Sequence, residues 1–366
     1  MEMTFSVEIG GRPLEFSTGK VAKQAGGAVV AAHGETTVLT TACITDKPRT
    51  GIDFFPLLVD FEERFYSAGK IPGGFIKREG RPSETAILSC RMVDRSIRSL
   101  FDETMRHDVH VVSTVLSVDQ VNPPNVLAIN AASAALTISD IPWGGPVGAV
   151  RIGRLGDEFV VNPTEEQMLE STLDLLVAGH LDGVTMVECG SKEIAEDLLV
   201  DALELAQNEI KKIVGLFNEM RAAVGREKLV LPSAPAFPDI DAWAAENLTG
   251  EIRDAVKIHE KKPRGDAISA ARNKLLEHFQ AQYPESGDYV AGLIDEMVKK
   301  TMRSLIVNER TRADGRRMDE LRKITCETGV LPRVHGSALF TRGETQALVV
   351  TTLGMMGVDD QILDGL

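Results

Sequence analysis

The sequence predicts a domain of mixed strands and helices, then an all-helical domain, then the opening of a second copy of the first. Three observations lead there: an internal repeat, alternating strand and helix patterns up to residue 228, and helical periodicity without strand signals from Asp241 to about Arg310. Gly27–Thr41 reads GAVVAAHGETTVLTT and Gly336–Val350 reads GSALFTRGETQALVV, aligned without a gap at an offset of 309 residues. Gly27, Gly34, Glu35, Thr36 and Leu39 are matched by Gly336, Gly343, Glu344, Thr345 and Leu348. Each copy has two apolar runs around a Gly-Glu-Thr turn, which predicts a hairpin. Gly11-Arg12 and Gly315-Arg316 form a further small match upstream. Domains are expected at 1-228, 239-310 and 311-366. The strand pattern of the second copy stops unfinished at Leu366, so the sequence is expected to be a piece of a longer protein.

Within the first copy, Thr37–Ile44, Val109–Val115, Val147–Ile152 and Leu173–Ala178 read as strands. Ser83–Ser99 reads as a helix with a Ser-Glu start and apolar Ile87, Leu88, Met92 and Val93. Val126–Thr137 is small and apolar, as a helix packed on a sheet would be. Lys192–Val224 reads as a long amphipathic helix carrying Ile194, Leu198, Ala202, Leu205, Ile213 and Phe217 on one side and stopped by Gly225. Leu229–Pro238, with three prolines, reads as a linker. Pro263-Arg264-Gly265 and Tyr283-Pro284 should divide the helical region into three or four helices.

Composition is that of an ordinary globular chain, with 43% hydrophobic and 26% charged residues. No apolar run approaches membrane-spanning length and no signal peptide is seen, so a cytoplasmic protein without membrane association is expected. Cys43, Cys90, Cys189 and Cys326 form no C-x-x-C pair and read as buried reduced thiols, with no metal site. Net charge is −14. Yet Arg64–Arg98 holds eight basic and three acidic residues, +5 against −19 for the rest of the chain. Such an island is either an anion site or a solvated helix face with its loop.

The loop in that island, Ile71–Glu84, reads IPGGFIKREGRPSE. Its glycines let the backbone approach a ligand. Phe75 either stacks on a base, with Lys77 and Arg78 on phosphates, or tucks under its own loop. Arg91, Arg95 and Arg98 share one helical face, where phosphates or acids such as Asp94 and Glu84 must answer them. His107 and His110, three apart in a strand-like stretch, should face opposite sides and are not expected to bind metal.

The runs FFPLLVDFEERFYSAGKIPGGFIKREGRPSE at 54–84, MVDRSIRSLF after it and LPRVHGSALFTRGETQALVVTTLG at 331–354 resemble bacterial polynucleotide phosphorylase over essentially the whole chain. The resemblance implies an α+β fold: a ribonuclease PH-like domain, an all-α domain and the start of a second ribonuclease PH-like domain. It implies a homotrimer with a central channel for single-stranded RNA, associated with RNA-degradation machinery. The activity it implies is phosphorolysis from the 3′ end, with inorganic phosphate as co-substrate and Mg2+ as cofactor.

In the family the loop matching Phe75–Arg78 reads Phe-Phe-Arg-Arg, so one ring is lost here and Lys replaces an Arg. Arg81 matches the phosphate-site arginine of ribonuclease PH. The family's active copy carries a Gly-Ser-Ser-Ser cradle where this chain has Asn122-Pro123-Pro124-Asn125. Its two aspartates and lysine fall at Met168, Asp174 and Leu176. Asp174 is then a vestigial match with a structural role, and the first copy is expected to be inert, with no catalytic residue in this chain. The alternative is a non-catalytic RNA-binding or scaffold protein derived from the same family.

Overall fold

The computed structural model describes residues 2–52, 54–231 and 236–354. Contacts divide the chain into two units, Met1–Ala234 and Pro235–Leu366.

In the first unit, β1 (Met3–Ile9), β2 (Arg12–Thr18), β3 (Gly27–His33) and β4 (Thr36–Ile44) form an antiparallel meander. After β5 (Leu57–Glu63), α1 (Glu84–Ile97) crosses over to β6 (Val109–Ser117), which runs parallel to β5 and antiparallel to β4. The order is β1-β2-β3-β4-β6-β5. Then come α2 (Pro124–Ile138), β7 (Gly148–Leu155), β8 (Glu158–Val161), the short α3 (Glu165–Glu170), β9 (Leu173–His180), β10 (Gly183–Ser191) and α4 (Glu196–Val224). The second sheet has the order β10-β9-β7-β8.

Helix α2 is buried at every position from Val126 to Ile138. It contacts β3, β4 and β6 of the first sheet, β7 of the second, and α1 and α4. Gly27 is what lets β3 approach: a Cβ there would lie 2.0 Å from the Ala135 carbonyl oxygen. On the side of β7, Asn130 behaves like a strand residue, its amide bonding both the N–H and the C=O of Ala149 at 2.8 Å. At the C-terminal end, the Lys228 ammonium donates to the carbonyls of Leu136, Thr137 and Ser139 at 2.7, 3.1 and 2.7 Å. That cation satisfies orphan carbonyls and complements the helix dipole.

Several expectations need correcting. Helix α4 begins at Glu196, because Lys192 still bonds the Thr172 carbonyl and Glu193 has φ +53°. Ile194 therefore precedes the helix. Gly225 does not end α4 in a left-handed cap: its φ is −64°, and it is required because a Cβ would sit 2.4 Å from the Arg221 oxygen. Ile87 and Leu88 of α1 are half-exposed, and Ala86, Ser89, Val93 and Ile97 make its buried face. The thiols of Cys43, Cys189 and Cys326 are exposed and that of Cys90 is half-buried. Cys43, Cys189 and Cys326 lie at exposed positions of β4, β10 and the later strand Ile324–Thr328. In the proline-rich stretch, 232–235 lie outside the described residues, and Leu229 bonds back to Asp140.

In the second unit four helices are described: α5 (Pro238–Asn247), α6 (Thr249–Val256), α7 (Lys261–Phe279) and α8 (Gly287–Glu309). Ile240, Ile252, Leu275, Phe279 and Ile294 lie in their core. Pro263 does not break the chain. It lies in the first turn of α7, where an N–H has no helical partner to lose, and Arg264 and Gly265 continue the helix. Strands β11 (Ile324–Thr328), β12 (Gly336–Arg342) and β13 (Thr345–Thr351) follow as a meander. The part of the expected third domain at 355–366 lies outside the described residues. No helix among the described residues is long and apolar enough to cross a membrane.

Replacing Lys228 by Met should take its donor from the Thr137 and Ser139 carbonyls at the end of α2 and leave the Leu136 carbonyl only the Ser139 hydroxyl, at 2.8 Å. Urea denaturation of Lys228→Met is expected to show a loss of about 2–3 kcal/mol. A change under 0.5 kcal/mol would mean that water replaces the ammonium.

Candidate nucleic-acid interface

The basic loop is held at both ends and free between them. Strand β5 runs into a 3-10 turn, Phe65–Ala68, closed by left-handed Gly69 at φ +66°. At one end the Lys70 amide bonds the Phe65 carbonyl at 3.0 Å. At the other, the Phe65 amide donates to the Glu79 carboxylate at 3.3 Å. The Glu79 carboxyl is lowered first by its own backbone amide; burial, next in size, opposes this, and the Phe65 amide, Arg64 and Arg78 add to the lowering. Ser83 caps α1, accepting from the Ala86 amide at 3.0 Å, and its hydroxyl donates to Glu63 at 2.6 Å.

Between these ties the backbone turns at Lys77, with φ +55° and its amide bonded to the Gly74 carbonyl at 3.1 Å. Cβ atoms built at Gly73, Gly74 and Gly80 would meet nothing within 4 Å. The Phe75 ring is fully exposed, so it does not tuck under its own loop. Lys77, Arg78 and Arg81 are exposed too, and none has an ion pair or hydrogen bond from its side chain among the described residues.

The three arginines of α1 separate. Arg98 is answered by Asp94, with Nε at 2.9 Å from Oδ2, and by the Leu57 carbonyl at 3.1 Å. Arg95 pairs with Glu188 and bonds the Val187 carbonyl at 3.2 Å. Glu188 lies 93 residues away on β10, so its role was invisible in the local sequence. Arg91 is exposed and has no such partner among the described residues. His107 precedes β6 and its Nδ1 lies 2.8 Å from the Thr45 carbonyl. His110 on β6 bonds Asp60 at 2.7 Å.

A second polar cluster gathers at the N-terminal end of α2. Pro123 is its cap residue and Pro124 its first residue, so neither offers an amide N–H. Burial alone would raise the Asp119 carboxyl. Hydrogen bonds from the Asn122 and Val121 amides, the Asn122 side chain and the Thr36 hydroxyl outweigh it and hold Asp119 well below the carboxylate range. Arg12 donates to Asn122 Oδ1 at 2.6 Å and to the Asn162 carbonyl. His33 is buried beside them, and its Nε2 has no hydrogen-bond partner among the described residues. The hollow it lines, with Pro123, Asn130, Arg151 and Asn162, has space for about one water molecule.

Asp174 on β9 is taken by Arg151, Nε to Oδ1 at 2.8 Å. Leu176 is buried. No group of three or more His, Cys, Asp or Glu side chains among the described residues could hold a metal ion. Sequence reasoning missed Arg12, His33 and Asp119 as a cluster. The one local signal was Asp119 three residues before Asn122, the spacing of a side chain that closes its own turn.

The model of the 3′ exoribonuclease family, domain 1, matches residues 10–142 and again 320–362, and that of domain 2 matches 145–209. The model described as the polyribonucleotide nucleotidyltransferase RNA binding domain matches 239–317. The double match of domain 1 agrees with the internal repeat, and the succession is an α+β ribonuclease PH-like domain, a helical region and the start of a second such domain. Polyribonucleotide nucleotidyltransferases of Heliobacterium modesticaldum, Desulfitobacterium hafniense and Halothermothrix orenii are 48%, 49% and 45% identical to this chain. The matches cover 99%, 99% and 100% of this chain and 51%, 50% and 53% of the relatives. The chain thus spans about half the length of the curated relatives it matches.

Burial, helped by Arg12, pushes His33 down to about 4, while Asp119 pulls weakly the other way. Below pH 6.5 the unfolded chain takes up a proton that the folded chain refuses, so His33 subtracts stability as pH falls from 6.5 toward 4. Asp119 stays ionised in both states over most of that window. Urea titrations of the parent and His33→Gln between pH 7 and 4 should differ in slope, the parent losing up to about 3 kcal/mol more. Parallel curves would show that His33 is protonated in the fold.

Proposed function

The chain belongs to the polyribonucleotide nucleotidyltransferase family, and we propose that it is the N-terminal part of a phosphate-dependent 3′-to-5′ exoribonuclease of RNA degradation. In this reading the segment supplies an RNA-binding loop and scaffold, and the catalytic residues lie in the second repeat, outside this chain. The observation that carries the reading is the loop from Lys70 to Pro82. It presents one bare ring, Phe75, and the exposed cations Lys77, Arg78 and Arg81, whose side chains make no ion pair or hydrogen bond among the described residues. Single-stranded RNA needs this pairing: a π-face for bases and diffuse positive charge for phosphates. An acidic chain that keeps four such groups in solvent gains no stability from them.

The first repeat holds the scaffold role. Bringing a phosphate to a helix N-terminus requires amide donors, and Pro123 and Pro124 have none. Magnesium does not fit there either. A divalent ion needs several oxygen ligands, whereas Asp174 is committed to Arg151 and its neighbour Leu176 is apolar. No chemical step is therefore assigned to this half. In the whole enzyme, an oxygen of inorganic phosphate attacks the phosphorus of the last linkage. The 3′-terminal residue leaves as a nucleoside diphosphate and the shortened RNA keeps a 3′ hydroxyl, with Mg2+ as the metal. We assign Arg95 and Arg98 to the frame through Glu188 and Asp94, and Arg91 to the RNA side. Domain limits of 1-228, 239-310 and 311-366, a homotrimer around an RNA channel, contact with RNA-degradation machinery and a cytoplasmic location complete the reading.

The test uses this chain, labelled oligoadenylate, phosphate and magnesium. Binding should fall about tenfold or more in a Lys77→Ala/Arg78→Ala variant. The slope of log affinity against log salt should shrink by about 1.4, two single-strand phosphate contacts. No nucleoside diphosphate should appear. Salt-independent binding would sink the loop assignment, and steady phosphate-dependent release would sink the inert first repeat.

A further inference from the structure

The loop carries Ile76 next to Phe75, so it presents a single ring to a strand of RNA. A second ring stands on the turn to which both ends of the loop are tied. We propose that Tyr66 is a second base-stacking surface for single-stranded RNA, working with Phe75; the proposal rests on the loop reading above.

Tyr66 is 58% exposed. Its hydroxyl has no hydrogen-bond partner and its ring packs on no other ring among the described residues. A tyrosine serving the fold buries its ring and gives its hydroxyl a partner, as Tyr289 shows by donating to Asp241 at 2.7 Å. Tyr66 does neither. Its position is nonetheless fixed. The Ser67 amide and hydroxyl bond the Arg64 carbonyl at 2.9 and 2.6 Å, and the Gly69 amide bonds the Tyr66 carbonyl at 3.0 Å. The Val118 amide, just beyond β6, bonds the Ser67 carbonyl at 3.0 Å and anchors the turn to the sheet.

The turn is also the base of the basic loop. The Phe65 carbonyl receives Lys70 and the Phe65 amide is held by Glu79. Tyr66 therefore stands at the fixed base of the loop that carries the cations. The two rings differ in a way that matters for binding. Phe75 follows two glycines, Gly73 and Gly74, at which an added Cβ would meet nothing within 4 Å, so stacking on it must restrict a freer backbone. Tyr66 stands on a turn already ordered, so stacking there loses less conformational entropy. A rigid ring at the base and an adaptable one at the tip, with Lys70 between them in sequence and Lys77 just beyond Phe75, would hold two bases of one strand. Sequence-tolerant stacking of this kind suits an enzyme that must let any base pass.

The experiment measures affinity of this chain for oligoadenylate across a salt series, for the parent, Tyr66→Ala, Tyr66→Leu, Tyr66→Phe and Phe75→Ala, each first checked by thermal melting. Tyr66→Ala and Tyr66→Leu should bind about five- to twentyfold more weakly with an unchanged salt slope, because a π-face is lost and no phosphate contact is. Tyr66→Phe should bind like the parent. If Tyr66→Leu binds like the parent while Phe75→Ala is weakened, the second ring is disproved and the loop reading stands. If Tyr66→Phe is as weak as Tyr66→Ala, the hydroxyl makes the contact and stacking is disproved. If Phe75→Ala and the Lys77/Arg78 variant both bind like the parent, the loop reading itself has failed, and this proposal with it.

Discussion

The first unit depends on enclosing α2. A helix apolar on every face has no side to show to water and is stable only when covered all round. Two sheets and two helices supply that cover. The enclosure dictates small residues where backbones meet, Gly27 against Ala135 being the tightest case. It also dictates how the helix ends are treated. The N-terminal end begins with prolines that have no N–H to leave unsatisfied, and the C-terminal end is closed by the Lys228 ammonium. Inside, Asn130 and Ser133 give polar contacts to Ala149 and Val147 and fix α2 against the second sheet. Outside, the Phe16 ring of β2 meets Phe217 of α4 edge-on at 5.0 Å, joining the first sheet to the last helix of the first unit.

The same enclosure explains the character of the candidate site. What α2 needs at its N-terminal end, prolines and a hollow too small for an anion, is what a phosphate cradle cannot have. Apart from His33 Nε2, the polar groups there answer one another, Arg12 to Asn122, Asn122 to Asp119, Arg151 to Asp174. The loop after β5 is opposite in kind. Its backbone is tied down at the base, its ring is bare, and its Lys77, Arg78 and Arg81 side chains make no ion pair or hydrogen bond among the described residues.

The two copies of the repeat share a register. Leu14 pairs with His33 and His33 with Thr36; in the second unit Ile324 pairs with Arg342 and Arg342 with Thr345. Both turns use a left-handed glycine, Gly34 at φ +60° and Gly343 at +64°. Their surroundings differ. Val29, Ala31 and Val38 are buried under α2, while β13 is exposed along its whole length and Phe340 and Val349 stand half-open. At Gly336, the counterpart of Gly27, a Cβ would meet only Thr351, at 3.5 Å. The glycine is present in both copies, and its tight contact only in the first.

The sequence by itself determined the local elements and their order. Hairpins, the buried helix, the helical region and the basic loop follow from periodicity, turn glycines and charge within short windows, and these act through neighbours in the chain. It also determined which residues of the loop bear ring and charge. It did not decide which face of α1 is buried, because Ile87 and Leu88 are as apolar as Val93 and Ile97 and only packing chooses between them. It did not decide that Glu188 answers Arg95, that Arg12, His33 and Asp119 meet, or that Phe75 stands free. Those depend on groups brought together from distant parts of the chain, 93 residues apart for Arg95 and Glu188, or on the absence of a neighbour, and neither is a property of a local stretch of chain. Tertiary structure alone sets such distances, and with them which charges are spent inside the fold and which remain for a ligand.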